Sequence, residues 1–376
     1  MTKIQKDNKS VANFPNLRFP EFTEEWETKK LGEIGEIVNG LTYSPNDIAE
    51  NGVLVLRSSN VQNRSLAFDD NVYVKTDNYN AVQENDILIC VRNGSKNLIG
   101  KNALINKENE GVAFGAFMSI YRSSFNTFLF HWFDTNEYKE IVYKNLGATI
   151  NSINGSDLRK FKVPFPSIKE QKKLASFLSI VDKRIQTQNK IIEQLETLIK
   201  GLCQKLILNQ VPNKKINNCV SSYSSSLTES DVIDKNGIYP VYGATGIIAF
   251  TENPQINEDA ILIIKDGSGV GKVQYASDKF SVIGTLNYLT VKLDVNLKYI
   301  FFCLKYFNFE KYKVGSGIPH IYFKDYGETF IYCPPLEEQN KIESLLSSID
   351  SKINIETQYI KELKEQKTFL FQQMFV

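Results

Sequence analysis

Two long helical segments of this chain, 168 residues apart, are copies of one another. The first runs from Pro164-Phe165-Pro166-Ser167-Ile168-Lys169-Glu170-Gln171 to near Leu208, the second from Cys333-Pro334-Pro335-Leu336-Glu337-Glu338-Gln339 to the C-terminus. Pro166, Glu170, Gln171, Asp182 and Leu195 are matched by Pro334, Glu338, Gln339, Asp350 and Leu363. In the first copy Leu174, Leu178, Val181, Ile185, Ile192, Leu195, Ile199, Leu202 and Leu206 alternate steps of four and three, with Gln188 in the one gap. The second copy gives Ile342, Leu346, Ile349, Ile353, Ile360, Leu363, Leu370 and Met374, with Glu356 matching Gln188 and Lys367 as a further polar break. This is a heptad seam. Ser167 with Glu170 fits a capping box, and Pro334-Pro335 fits a helix start. A helix of about 40 residues is roughly 60 Å long and cannot leave such a stripe in water. The two copies are therefore expected to pack on each other, antiparallel, with Gln188 and Glu356 fixing the register.

The remaining sequence forms two globular segments. The expected layout is a tail (1–13), a first head (14–165), a central helix (166–208), a polar linker (209–226), a second head (227–333) and a C-terminal helix (334–376). Strand-like runs in the first head are Val53–Leu56, Asp86–Val91 and Phe117–Tyr121; in the second they are Ile238–Tyr242, Ala260–Ile264 and Tyr288–Val291. Gly, Asn and Ser cluster between them. Gly100-Lys101 corresponds to Gly271-Lys272, Asn93-Gly94-Ser95 to Asp266-Gly267-Ser268, and Phe114-Gly115-Ala116 to Ile283-Gly284-Thr285. The fold class is thus α+β: two globular α/β heads joined by two long antiparallel coiled-coil helices, with pseudo-two-fold symmetry. The loops differ far more than the helices, as in two recognition heads that read different things.

Composition excludes more than it selects. Lys and Arg number 44 against 43 Asp and Glu, a net charge of +1, so any nucleic-acid binding must come from a local patch. The N-terminus has no apolar run and no stretch is apolar enough to span a membrane, so neither a leader nor a membrane span is expected, while the scattered cysteines point to a reducing cytoplasm. Five scattered cysteines (Cys90, Cys203, Cys219, Cys303, Cys333) form no CxxC pair, and two histidines cannot build a histidine metal cluster.

Asp266-Gly267-Ser268-Gly269-Val270-Gly271-Lys272-Val273 resembles a phosphate loop, but a Walker A motif needs Gly at Asp266 and Ser or Thr at Val273. What remains is a loop rich in backbone N–H groups, with Lys265, Ser268 and Lys272 suited to phosphates or base edges. Cys333-Pro334-Pro335-Leu336 resembles the tetrapeptide of amino-methyltransferases, yet Cys cannot hold the target amine and Leu cannot stack on it. No nucleophile elbow or methyl-donor turn is present, so no catalytic residue is assigned. Arg57, Ser58, Asn60 and Gln62 follow an apolar strand, and the Arg, Asn and Gln among them have bidentate geometry for guanine and adenine edges. Arg92, Asn93, Ser95 and Lys96, with Lys101 nearby, have the same character. These twelve residues are the candidate DNA contacts; solvated turns are the alternative for each.

Taken together, PNLRFPEFTEEWETKKLGEI (15–34), VLVLRSSNVQNRSL (53–66), IYPVYGATGIIAF (238–250), IGTLNYLTV (283–291) and the two helix starts resemble the specificity subunit of type I restriction–modification enzymes. Gly147-Ala148-Thr149-Ile150 and Gly315-Ser316-Gly317-Ile318, ahead of the helices, are similar too. The resemblance covers nearly the whole chain. It implies a non-catalytic subunit in which each head reads half of a bipartite double-stranded DNA target. The helices would set the spacer and dock two methyltransferase subunits. Motor-nuclease subunits would join for cleavage. S-adenosylmethionine, ATP and Mg would sit on those partners, with no cofactor or metal on this chain. A near-neutral charge fits if the methyltransferase subunits supply part of the phosphate clamp. The alternative is the recognition subunit of another DNA-modifying or DNA-cleaving enzyme.

Overall fold

A computed structural model describes residues 14–146, 151–232 and 236–375. The tail and Gly147-Ala148-Thr149-Ile150 lie outside them. The chain divides into two units, residues 1–186 with 361–376, and residues 187–360. Each unit holds one head, the start of one long helix and the end of the other.

In the first unit, β1 (Glu27–Lys30) precedes β2 (Glu36–Asn39), β3 (Ile48–Leu56), β4 (Ile87–Cys90), β5 (Asn102–Leu104), β6 (Ala113–Phe114) and β7 (Met118–Arg122). Then come helix α1 (Asn126–Trp132), β8 (Lys162–Phe165) and the long helix α2 (Ile168–Cys203). The main sheet has the order β2-β7-β4-β5, all antiparallel. β4 is buried at every residue, which is why its sequence is a continuous apolar run rather than an alternating one. β3 and β6 pair in parallel beside it, Leu56 opposite Phe114. β1 pairs with β8, so the head's chain entry and exit lie side by side.

The second unit repeats this plan with β9 (Lys214–Lys215), β10 (Val220–Ser224), β11 (Tyr239–Gly243), β12 (Ala260–Ile264), β13 (Val273–Ala276), β14 (Ser281–Val282), β15 (Leu286–Val291), helix α3 (Leu297–Lys305), β16 (Phe330–Ile331) and the long helix α4 (Leu336–Met374). The sheet order is β10-β15-β12-β13, β11 runs parallel to β14, and β9 closes on β16. Residues 209–226 are thus not a linker throughout. Val220–Ser224, in the serine-rich stretch, form an edge strand whose Val220 is buried and whose Tyr223 and Ser224 are exposed. An edge strand with one wet face tolerates such polarity.

Each unit shows the long helices packed antiparallel. In the first, Leu174 and Leu178 at the start of α2 share a core with Phe371, Met374 and Phe375 at the end of α4. In the second, Ile199, Cys203 and Ile207 share a core with Ile342 and Leu346. The expected polar layer is present in the second unit, where the Gln188 amide donates to the Glu356 carboxylate. At the start of α2 the Glu170 N–H donates to Ser167 Oγ, at 3.4 Å, which is half of the expected capping box. The Glu170 carboxylate goes elsewhere. Arg18 grips it with Nε at 2.7 Å and Nη2 at 2.8 Å, tying the N-terminal segment to the helix.

Lys367 also departs from the plain polar break suggested by the heptads. It bridges Asp134 of the first head and Asp182 of α2, each at 2.7 Å. Arg64 approaches Asp134 at 3.4 Å and lies over the Phe130 ring, 3.9 Å from its centroid. His131, on α1, is 1% exposed and sits between Ser179 Oγ (3.2 Å) and Asp182 (3.5 Å). Burial pushes the imidazole down to about 4, opposed by Asp182 and assisted by Arg64 and Lys367. Unfolding returns the ring to its ordinary value of 6.5. Between those values the unfolded chain holds a proton that the folded chain lacks. The stability carried by the neutral ring is complete above pH 6.5 and is lost as pH falls through 4, roughly 3 kcal/mol in all. His131→Gln keeps a partner for Ser179 and does not titrate. Urea unfolding between pH 7 and 4.5 should give a flatter slope of stability against pH for this variant; equal slopes would show that the folded ring titrates normally.

Candidate nucleic-acid interface

The same backbone device stands at the end of the central strand of each head. In the first, the Cys90 N–H donates to Lys101 O (2.9 Å) and the Gly100 N–H donates back to Cys90 O (2.8 Å). In the second, Ile264 N–H donates to Lys272 O (3.0 Å) and Gly271 N–H to Ile264 O (2.9 Å). Gly100 and Gly271 have φ of +83° and +89°, a region that a side chain makes costly. A segment from further along the chain crosses each loop. Arg92 pairs with Ser152 and Asp266 with His320. Asn93 N–H donates to Asn151 O, and Gly267 N–H to Pro319 O.

These bonds fix the correspondence between the heads. Gly100-Lys101 matches Gly271-Lys272, as expected from sequence. The other two matches shift by one residue: Arg92 corresponds to Asp266 and Asn93 to Gly267, while Phe114-Gly115-Ala116 corresponds to Val282-Ile283-Gly284. The equivalent bonds Gly115 N–H to Leu56 O and Ile283 N–H to Tyr242 O place the last pair. The cause is loop length. Residues 93–99 are replaced by the shorter 267–270, and likeness of Gly and Ser alone cannot place the gap.

The twelve candidate residues divide by what their side chains already hold. Asn60 is fully buried. Its Oδ1 accepts from the Arg57 N–H (2.9 Å) and its Nδ2 donates to Ala67 O (2.9 Å), so it staples the turn and offers nothing to a base. Lys101 also turns inward, donating to Val61 O at 3.0 Å, and burial lowers its pKa. With Lys96, Arg64 and Tyr138 it lines a cavity of about 350 Å³. Arg57 is held by Asp70 at 2.8 Å. Ser58 accepts from Asn93 Nδ2 at 3.0 Å, which joins the two first-head loops. Gln62, Arg92, Ser95 and Lys96 are exposed, and Arg92 lies over the exposed Phe117 ring at 5.7 Å. In the second head Lys265 reaches Ser224 Oγ at 3.1 Å. Ser268 and Lys272 are exposed and line an open cleft of about 850 Å³ with Lys305, Phe307 and Lys313. The chain after Lys272 enters a strand, where a phosphate loop would enter a helix.

Sequence reasoning missed Asp266 paired with His320, at 2.7 Å. The only sequence signal for that pair was the Gly315-Ser316-Gly317-Ile318 stretch just before it. Among the described residues no helix is long and apolar enough to cross a membrane.

Comparison with known proteins adds four findings. The profile of the family described as type I restriction modification DNA specificity domain matches residues 23–197 and 215–365. The putative type I restriction enzyme MjaX specificity subunit of Methanocaldococcus jannaschii is 25% identical, with 94% of each chain covered. The EcoKI specificity subunit of Escherichia coli is 26% identical over 51% of this chain and 43% of its own length. In fold, the crystal structure of the S subunit of a type I restriction–modification system from M. genitalium is similar, with a TM-score of 0.70 at 18% identity, covering 96% of this chain and 99% of that one.

Proposed function

This chain belongs to the type I restriction–modification DNA specificity family, and from that premise we propose that it is the sequence-reading subunit of such a complex. Each head reads one half of a bipartite double-stranded target. The long helices set the spacer and dock two methyltransferase subunits, and motor-nuclease subunits join for cleavage. S-adenosylmethionine, ATP and Mg belong to those partners, and the complex works in the cytoplasm. The observation that carries this reading is that one backbone frame presents unlike side chains at matched places. Arg92 stands where the second head has Asp266, Ser152 where it has His320, and the inward Lys101 where it has the exposed Lys272. A shared frame with different functional groups is what two readers of different half-sites require.

The test is binding of the reconstituted methyltransferase complex to its mapped target. Arg92→Ala should weaken binding by about 1–3 kcal/mol if the guanidinium reads a base, mostly on the cognate first half-site. Lys272→Ala should weaken all sequences alike and lower the salt slope by about one unit if the ammonium meets a phosphate. Unchanged affinity and salt slope for both variants would turn these loops away from the duplex. Asn60, fully buried, and Lys101, turned toward Val61, are not among the contacts we propose.

A further inference from the structure

We infer that His320 reads a base edge in the second half-site, its Nε2 accepting a hydrogen bond from the exocyclic amino group of an adenine or cytosine in the major groove, with Asp266 as the positioning residue. This rests on the reading of the second head as a DNA-recognition module.

His320 is held more firmly than a surface residue needs to be. Its N–H donates to Val314 O at 2.8 Å, and its own carbonyl accepts from Val314 N–H at 2.9 Å. On either side, Gly267 N–H donates to Pro319 O and Ile321 N–H to Lys265 O, each at 3.0 Å. The turn that allows this passes through Gly315, at φ +89°, where an added Cβ would stand 2.6 Å from Ile318 O and 3.3 Å from the imidazole Cδ2. The ring is fixed too: Nδ1 lies 2.7 Å from Asp266 Oδ1, and the ring stacks on Tyr322 at an interplanar angle of 22°. The side chain is nevertheless 36% exposed. Among the described residues Nε2 makes no hydrogen bond. A rigid backbone, a clamped ring and one open atom are the attributes of a preorganised contact.

The chemistry of that atom selects its partner. A carboxylate oxygen only accepts, so the proton between the two sits on Nδ1, and in its imidazole form that tautomer presents a lone pair at Nε2. Phosphate oxygens also only accept, so Nε2 cannot hold the DNA backbone in this tautomer, and the Asp266 carboxylate beside it repels phosphate. A duplex approaching this pair must instead offer a donor. In the major groove the donors are adenine N6 and cytosine N4. The first head has no counterpart: Ser152 and Arg92 occupy these places, and Arg92 can only donate.

The experiment uses the full methyltransferase complex and duplexes carrying the target, first mapped by methylation of a host that bears the system. In the second half-site one adenine at a time is replaced by purine, or one cytosine by pyrimidin-2-one, deleting a single amino group. The wild-type complex should lose about tenfold in affinity at one such position, the scale of one hydrogen bond left unmade. His320→Ala should bind the intact and amino-deleted duplexes equally at that position and keep wild-type responses in the first half-site. Asp266→Ala, which frees the ring to turn, should reduce the same difference without changing the thermal unfolding of the complex. Persistence of the full tenfold difference in His320→Ala at every position, with Lys272→Ala still weakening binding, would remove His320 as a reader and leave the module intact. If neither variant nor any second-half-site change alters binding, the recognition reading of this head falls with it.

Discussion

Arg18→Ala is expected to lower the unfolding free energy of the first unit by about 3–5 kcal/mol, the cost of leaving a buried charge without its partner. Glu170 is 1% exposed, and both its oxygens are held by one guanidinium. The geometry is bidentate, which a lysine cannot reproduce. Arg18 also donates to Glu24 O, so the same side chain closes the turn that it leaves. Chemical denaturation should show a lower midpoint with an unchanged m-value. The double variant Arg18→Ala with Glu170→Gln should recover part of the loss, because an amide is cheaper to bury alone than a carboxylate. A loss below about 1 kcal/mol for the single variant would mean that water reaches the carboxylate and the pair behaves like a surface salt bridge.

Exchanging the second head for one of different specificity should change one half of the target and leave the other. The structure supports where to cut. β9 and β16 pair at the base of this head, and outside them Asn213 and Cys333 exchange two hydrogen bonds, of 3.1 and 2.8 Å. A graft that carries residues 214–332 keeps this clasp in the recipient. Each mismatched base pair costs about 1–3 kcal/mol, so three altered pairs should cut binding to the old target at least roughly 100-fold. Methylation mapping of the hybrid should show the original first half-site beside a new second one. A change in both halves together would defeat the modular reading.

The long helices were legible because a heptad seam is local and repeated, and the second copy confirmed the first. The polar pair Gln188 and Glu356 was legible for the same reason, as the one layer where both seams break. The partners of Glu170 and Lys367 were not. Arg18 lies far along the sequence from Glu170, and Asp134 far from Lys367. No periodicity marks ion pairs that only the folded chain brings together. Asn60 looked like a reader because its side chain is the right type on the right loop. Nothing in the residue type says that its amide closes its own turn. In the second head the serine-rich segment read as linker, since an edge strand with a wet face carries a weak apolar signal.

The charges around Lys367 also bear on how the two halves of the repeat could have been combined. The residue that matches Lys367 in the first copy is Ile199, which is 1% exposed and buried in the second unit's core. Asp350, the match of Asp182, is served instead by Lys305 of the second head, at 2.9 Å. A molecule assembled from two identical first halves would set Ile199 against Asp182 and leave that aspartate without its lysine. One built from two second halves would bring Lys367 and Lys305 together on a single Asp350. Either self-pairing strands like charges or an uncompensated one at a half-buried seam. The two ends of the helix pair therefore carry different charge complements: Lys367 of the C-terminal helix serves Asp182, whereas Lys305 of the second head serves Asp350.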